Sequence, residues 1–171
     1  MTENQRQFFD RLNRLGKGER AALRREAGTM IQDADGSALT AFYRCLPASV
    51  DKWQEEKWCV VACLRCLWDA GDDEGTPLEQ VIAALIKTGD LSDSTAHRVE
   101  ILLDTGWDAD GYMLTKLSRL VKLIRQKSDR RHIDFSGLLD DLIYWNSDSQ
   151  TVQRKWARAV FSGDTIIEDK E

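Results

Sequence analysis

Apolar residues recur every three to four positions along almost the whole chain, and no segment alternates convincingly between apolar and polar residues. The spacing predicts helices over residues 3–15, 18–31, 37–46, 53–69, 77–87, 93–104, 109–127, 135–146 and 149–161. Pro47 and Pro77 are the only prolines, so long stretches are free of helix breakers. Several starts carry capping chemistry. Asp35-Gly36-Ser37 reads as a turn followed by a cap, and Thr76-Pro77 with Glu79 three residues after Thr76 reads as a capping box. Ser92 or Asp93, Asp134 or Ser136, and Asp148 or Ser149 are expected to cap the later helices. The expected fold is therefore all-α, a bundle of about nine helices.

Two breaks interrupt the pattern. The acidic, glycine-containing segment 69–75 is one, and 90–94 is the other. The second sets an expected boundary between an N-terminal lobe, 1–92, and a C-terminal lobe, 93–161, that holds the helix over 109–127. The acidic tail 162–171 is expected to fray. The polar N-terminus carries no signal-peptide pattern and no run approaches a membrane span, so a cytoplasmic protein without membrane contact is expected.

Charge changes the picture. The net charge is -5 over 171 residues, with 42% hydrophobic and 31% charged residues, enough apolar content for a core. Residues 112–131 nevertheless hold Lys116, Arg119, Lys122, Arg125, Lys127, Arg130 and Arg131 against one acid, Asp129. Residues 1–28 carry seven basic residues against four acids, and the remainder carries ten against 24. A basic island on an acidic body points to one directed contact with a polyanion, and phosphate is the usual partner. On a helical wheel Met113, Leu114, Leu117, Leu120, Val121 and Ile124 share one side, and Lys116, Arg119, Lys122 and Arg125 the other. A merely solvated face mixes signs, because opposite charges one turn apart support a helix. Arg20, Arg24 and Arg25 form a second basic group, with Glu19 and Glu26 close enough in sequence to pair with some of it.

Other chemistry is weakly signalled. Cys59, Cys63 and Cys66 share one helical face, and Cys45 stands apart. A structural zinc site wants two ligand pairs from separate elements, so buried reduced thiols are the expected state. The acidic segments beginning at Asp69 and at Asp104 fail the EF-hand pattern at its glycine and glutamate positions. No P-loop, nucleophile elbow or zincin motif is present, and no cofactor is implied. Trp145 and Trp156 lie in amphipathic helices and are expected in the core.

Six segments in order, GERAALRR (18–25), FYRCLP (42–47), HRVEILL (97–103), LTKLSRLVKLI (114–124), IDFSGLLDDLIYW (133–145) and VQRKWARAVF (152–161), resemble the CasB family. That family is the small subunit of the type I-E CRISPR Cascade surveillance complex, and the resemblance spans nearly the whole chain. It implies an all-helical, two-lobed, non-catalytic protein. Two copies would pack head to tail beside the backbone and large subunits, holding the CRISPR RNA–target DNA hybrid and the displaced DNA strand. The matching positions are Arg20, Arg24, Arg25, Arg44, Arg98, Lys116, Arg119, Lys122 and Arg125, and Arg130 and Arg131 extend the basic island. His97 stands where some members have a second arginine, which weakens phosphate contact there. Two other readings stay open: a scaffold whose basic helix docks on acidic protein neighbours, and a thiol-metal or redox protein built on Cys59, Cys63 and Cys66.

Overall fold

The computed structural model describes residues 1–68, 75–108, 110–127 and 132–163. The acidic segment up to Glu74, Arg130, Arg131 and the tail beyond Gly163 lie outside the described residues. Among the described residues there are nine α-helices: α1 Glu3–Asn13, α2 Lys17–Arg25, α3 Gly36–Cys45, α4 Glu55–Arg65, α5 Leu78–Lys87, α6 Asp93–Leu103, α7 Tyr112–Lys127, α8 Phe135–Ile143 and α9 Thr151–Phe161. The only β pairing among them is an isolated parallel bridge between Thr76 and Ile133. The all-α expectation holds. No described helix is long and apolar enough to cross a membrane.

Helix α4 sits at the centre. Every residue from Lys57 to Trp68 is buried, so this segment has no solvent face. It packs against α2, α7 and α8, while α3 packs on α1 and α2. In the second half α9 packs on α5 and α6, and α6 also packs on α7 and α5. One hydrophobic cluster runs from Phe8 through α4 to Trp156, and it crosses the 92/93 position without a break. Phe8 is the aromatic hub of the N-terminal part, edge-on to Phe9, Phe42 and Trp58 at centroid distances of 5.3, 6.5 and 4.9 Å. Trp145 and Trp156 meet edge-to-face at 5.5 Å, and both are core residues as expected. Their indole N–H groups donate to Thr105 O and to Asp141 Oδ2, so neither ring buries an unpaired donor.

Caps explain some helix starts and correct others. Asp134 accepts the Gly137 N–H, as the sequence predicts, whereas α3 starts one residue earlier than expected because Asp35, read as part of a turn, is itself the cap and accepts the Ala38 N–H. Thr2 and Gln5 form a full capping box on α1. The box expected at Thr76 and Glu79 does not form. Thr76 is held in the bridge to the 132–134 backbone, and α5 begins at Leu78. Gly75 is required there, because a Cβ would lie 2.5 Å from the Ile133 carbonyl carbon. Ser92 precedes α6 but bonds Ser94 instead of the backbone. The residue before α9 is Gln150, left-handed at φ 50°, rather than a capping Asp148 or Ser149. Helix α2 also ends six residues earlier than its apolar spacing suggests, since Gly28 turns the chain at φ 100°.

Glu79, free of capping, is buried instead. It lies 3.5 Å from Lys155 Nζ, which also bonds the buried Asp141. Burial raises both carboxyl pKa values, and the Lys155 ammonium offsets part of that rise. A carboxyl whose folded pKa is raised favours folding below its unfolded value, and that contribution is lost as pH rises through the folded value. Lys155→Ala removes the offset and pushes both values higher. We expect a loss of about 2 kcal/mol near pH 7, shrinking towards pH 5, measured by denaturant unfolding at both pH values. A loss independent of pH would contradict the ionic role of Lys155.

Candidate nucleic-acid interface

Helix α7 begins where Asp108 Oδ1 accepts the N–H groups of Asp110 and Gly111 at 3.1 and 3.0 Å. Met113, Leu114, Leu117, Ser118, Leu120, Val121 and Ile124 are buried, so the apolar stripe faces the core as predicted. Lys116, Arg119, Lys122 and Arg125 remain on the outer half. Each step of three residues rises about 4.5 Å and turns about 60° short of a full circle, so the four cations wind obliquely across that half. Arg119 lies opposite the buried stripe, and Lys116 and Arg125 flank it, half-buried along their stems. None of Lys116, Arg119 and Arg125 has a carboxylate partner among the described residues. Lys116 Nζ sits 5.5 Å from the centre of the Tyr112 ring one turn back.

Lys122 differs from its neighbours. Its ammonium donates to Ala27 O at 2.8 Å, closing the turn that ends α2. Beside it Gly28 approaches α7 so closely that a Cβ would lie 3.3 Å from Ser118 Cβ. Met30 lies against Gly111 at the start of α7, where a Cβ would meet its sulfur at 2.9 Å. Glu56 of α4 then accepts the Ile31 N–H. The connector 27–31, which begins two residues after α2 ends, is thus held along α7.

The N-terminal arginines divide. Arg20 and Arg24 are half-buried and direct positive charge at the Cys66 thiol beyond the end of α4, with Arg20 also hydrogen-bonded to it. Arg25 is exposed, and its charge helps hold the Asp35 carboxyl below the usual range, behind the Ala38 N–H and Ser37 bonds to that carboxylate. Arg44 is exposed but ion-paired to Glu19, which joins α3 to α2, while the other Glu19 oxygen accepts the Gly16 N–H at the start of α2. Arg98 is exposed on α6, the helix packed on α7, and has no ion pair among the described residues. His97 lies 3.4 Å from Glu100. The structure therefore brings the turn after α2 to α7, and it leaves Arg20 and Arg24 turned partly inward.

The cysteines are free and buried. Burial pushes the Cys45 thiol up to about 12 and Cys66 up to about 11. A hydrogen bond to Cys59, together with burial, raises Cys63 well above its usual value. Thiols held protonated are poor ligands and nucleophiles. No group of three or more metal-ligating side chains is assembled among the described residues. Three functional candidates went unread in the sequence: Trp53, Lys57 and Trp107. Lys57 Nζ lies 5.2 Å from the Trp53 ring centre and 5.8 Å from that of Trp107. The Trp53–Lys57 spacing of one helical turn was the available signal.

Comparison with known proteins converges on one family. The family model for CRISPR-associated protein Cse2 matches residues 19–161. The CRISPR-associated protein Cse2 of Thermus thermophilus is 31% identical over 139 residues, covering 77% of this chain and 76% of that protein. A crystal structure of a Cse2-family protein from the same organism superposes with a TM-score of 0.76 at 29% identity, covering 94% of this chain and 99% of the other. The crystal structure of M. ruber CasB gives 0.72 at 26% identity, with 94% of both chains covered. A chain of a CRISPR RNA-guided surveillance complex gives 0.69 at 26% identity, covering 90% and 88%. The family model spans most of the chain and a relative 31% identical is matched over more than three quarters of it, so the chain belongs to the CRISPR-associated protein Cse2 family.

Proposed function

We propose that this chain is a non-catalytic small subunit of a CRISPR RNA-guided Cascade complex, and that α7 contacts the phosphate backbone of the guide–target hybrid or the displaced strand. Its family membership and its likeness to a chain of a surveillance complex support the setting. The observation that carries the contact is the outer half of α7, where Lys116, Arg119 and Arg125 have no carboxylate partner among the described residues. Unpaired like charges on one face repel one another, and a polyanion opposite them removes that cost. Arg98 and Arg25 are exposed cations available to extend the contact. Arg130 and Arg131 continue the same basic sequence.

Such a face follows the backbone and reads no bases. Sequence choice is left to guide–target pairing, and the protein stabilises the opened state. The surrounding acidic surface confines the contact and leaves the rest for the backbone and large subunits and for a second copy of the chain. A scaffold role, with α7 docked on acidic protein, predicts different behaviour in the experiment below.

Changing Lys116, Arg119 and Arg125 together to Ala in the assembled complex is expected to shorten the lifetime of the displaced-strand state. The loss should be equal across target sequences, and the salt dependence of binding should flatten by about two to three units of log–log slope. Unchanged lifetime across a salt series would refute the contact, and loss of the subunit from the complex would mark the scaffold role instead. Lys122 provides a contrast. Lys122→Met is expected to destabilise the isolated chain by about 1–2 kcal/mol, because the Ala27 carbonyl loses a charged donor. Arg119→Ala is expected to leave unfolding within about 0.5 kcal/mol of the parent. Denaturant unfolding of the two variants separates them.

A further inference from the structure

The second basic–aromatic feature lies where the connector, α4 and the start of α7 converge. Trp53 stands in the turn just before α4 and is 62% exposed, an unusual position for an indole. One turn later Lys57 is only 7% exposed, with its ammonium between the Trp53 and Trp107 rings. Burial lowers its pKa. An ammonium offers three N–H donors, and among the described residues its one hydrogen bond is a long one, 3.5 Å to Ile143 O. No carboxylate pairs with it among the described residues. The cage is preorganised. Asn146 accepts the Trp107 N–H and donates to the Trp107 carbonyl, both at 2.8 Å, and Gln54 beside Trp53 accepts the Trp58 indole N–H.

Nearby acids are already engaged. Glu55 accepts the Tyr43 hydroxyl, Glu56 the Ile31 N–H, and Asp108 the first N–H groups before α7. The exposed Asp51 is the remaining neighbour in sequence. The cage also adjoins the basic helix, since Trp107 leads through the Asp108 cap into α7. There Tyr112, 62% exposed, and Lys116 repeat the same aromatic–lysine pair at the same one-turn spacing.

The geometry points to an unpaired nucleotide of single-stranded nucleic acid as the occupant, its base stacked on Trp53 and its phosphate on the Lys57 ammonium. This rests on the nucleic-acid reading of α7 and adds to it a preference for unpaired bases. A carboxylate from a protein neighbour would take the ammonium but leave the outer indole face bare. A stacked base covers that face, and stacking on an aromatic side chain tolerates any sequence.

The test uses the full-length chain at low salt, with an oligothymidylate and an abasic oligonucleotide of equal length, read by tryptophan fluorescence. We expect the oligothymidylate to quench fluorescence and to bind at least about five-fold tighter than the abasic strand. Trp53→Ala should abolish that preference and most of the quenching while leaving abasic binding unchanged; Trp53 is exposed, so its fold should be intact by circular dichroism. Lys57→Met should weaken both strands and reduce the salt slope by about one. A Trp53→Ala chain that keeps the thymidylate preference overturns the site while leaving the α7 reading in place, provided Arg119→Ala still weakens abasic binding. Absence of salt-sensitive binding to either strand defeats both. Normal strand binding by Trp53→Ala with failure to enter the complex overturns the site in favour of a protein contact.

Discussion

The structure depends on one helix being buried on all sides. Residues 57–68 have no solvent face, so every neighbour of α4 is placed by the need to cover it. Burial of a side chain such as Leu64 or Val61 contributes about 1.5–3 kcal/mol, and α4 supplies several in succession. Helices α2, α7 and α8 take that position. The two polar members of the run are handled separately. Arg65 donates to Trp68 O and Asn13 Oδ1, and Lys57 is left between two indoles. Because α2 and α7 both cover α4, residues nearly 100 positions apart meet, as the bond from Lys122 to Ala27 shows.

That meeting sorts the basic residues into two kinds. Lys122, Arg20 and Arg44 bind parts of this protein: a helix-ending carbonyl, a buried thiol and Glu19. Lys116, Arg119, Arg125 and Arg98 bind no acid among the described residues. Of the first kind, Lys122 ties the connector 27–31 to α7, while Arg20 and Arg44 hold α2 to the end of α4 and to α3. The second kind is left facing solvent, and the function proposed for the chain rests on it. Sequence position alone does not separate these groups, since Arg119 and Lys122 are a single turn apart on one helix.

The all-helical class was legible because apolar spacing near 3.6 is carried by almost every segment. The inward face of α7 was legible for the same reason, residue by residue from Met113 to Ile124. What stayed hidden was long-range. Glu79 looks like a capping residue until Lys155 and Asp141 are seen around it. That Glu19 pairs with Arg44 of α3 is likewise invisible until the two helices are seen side by side. Apolar spacing carried α2 on to residue 31, since local sequence does not announce that Gly28 must lie against Ser118. The aromatic cage around Lys57 was missed because Trp107 comes from 50 residues downstream.

On the proposed function, the outer half of α7 faces nucleic acid rather than protein. A photoreactive side chain at position 119 of the full chain, within the assembled guided complex, tests it most directly. Crosslinks to the guide, target or displaced strand, weakened by added salt, are expected. Crosslinks to neighbouring protein subunits alone would contradict it.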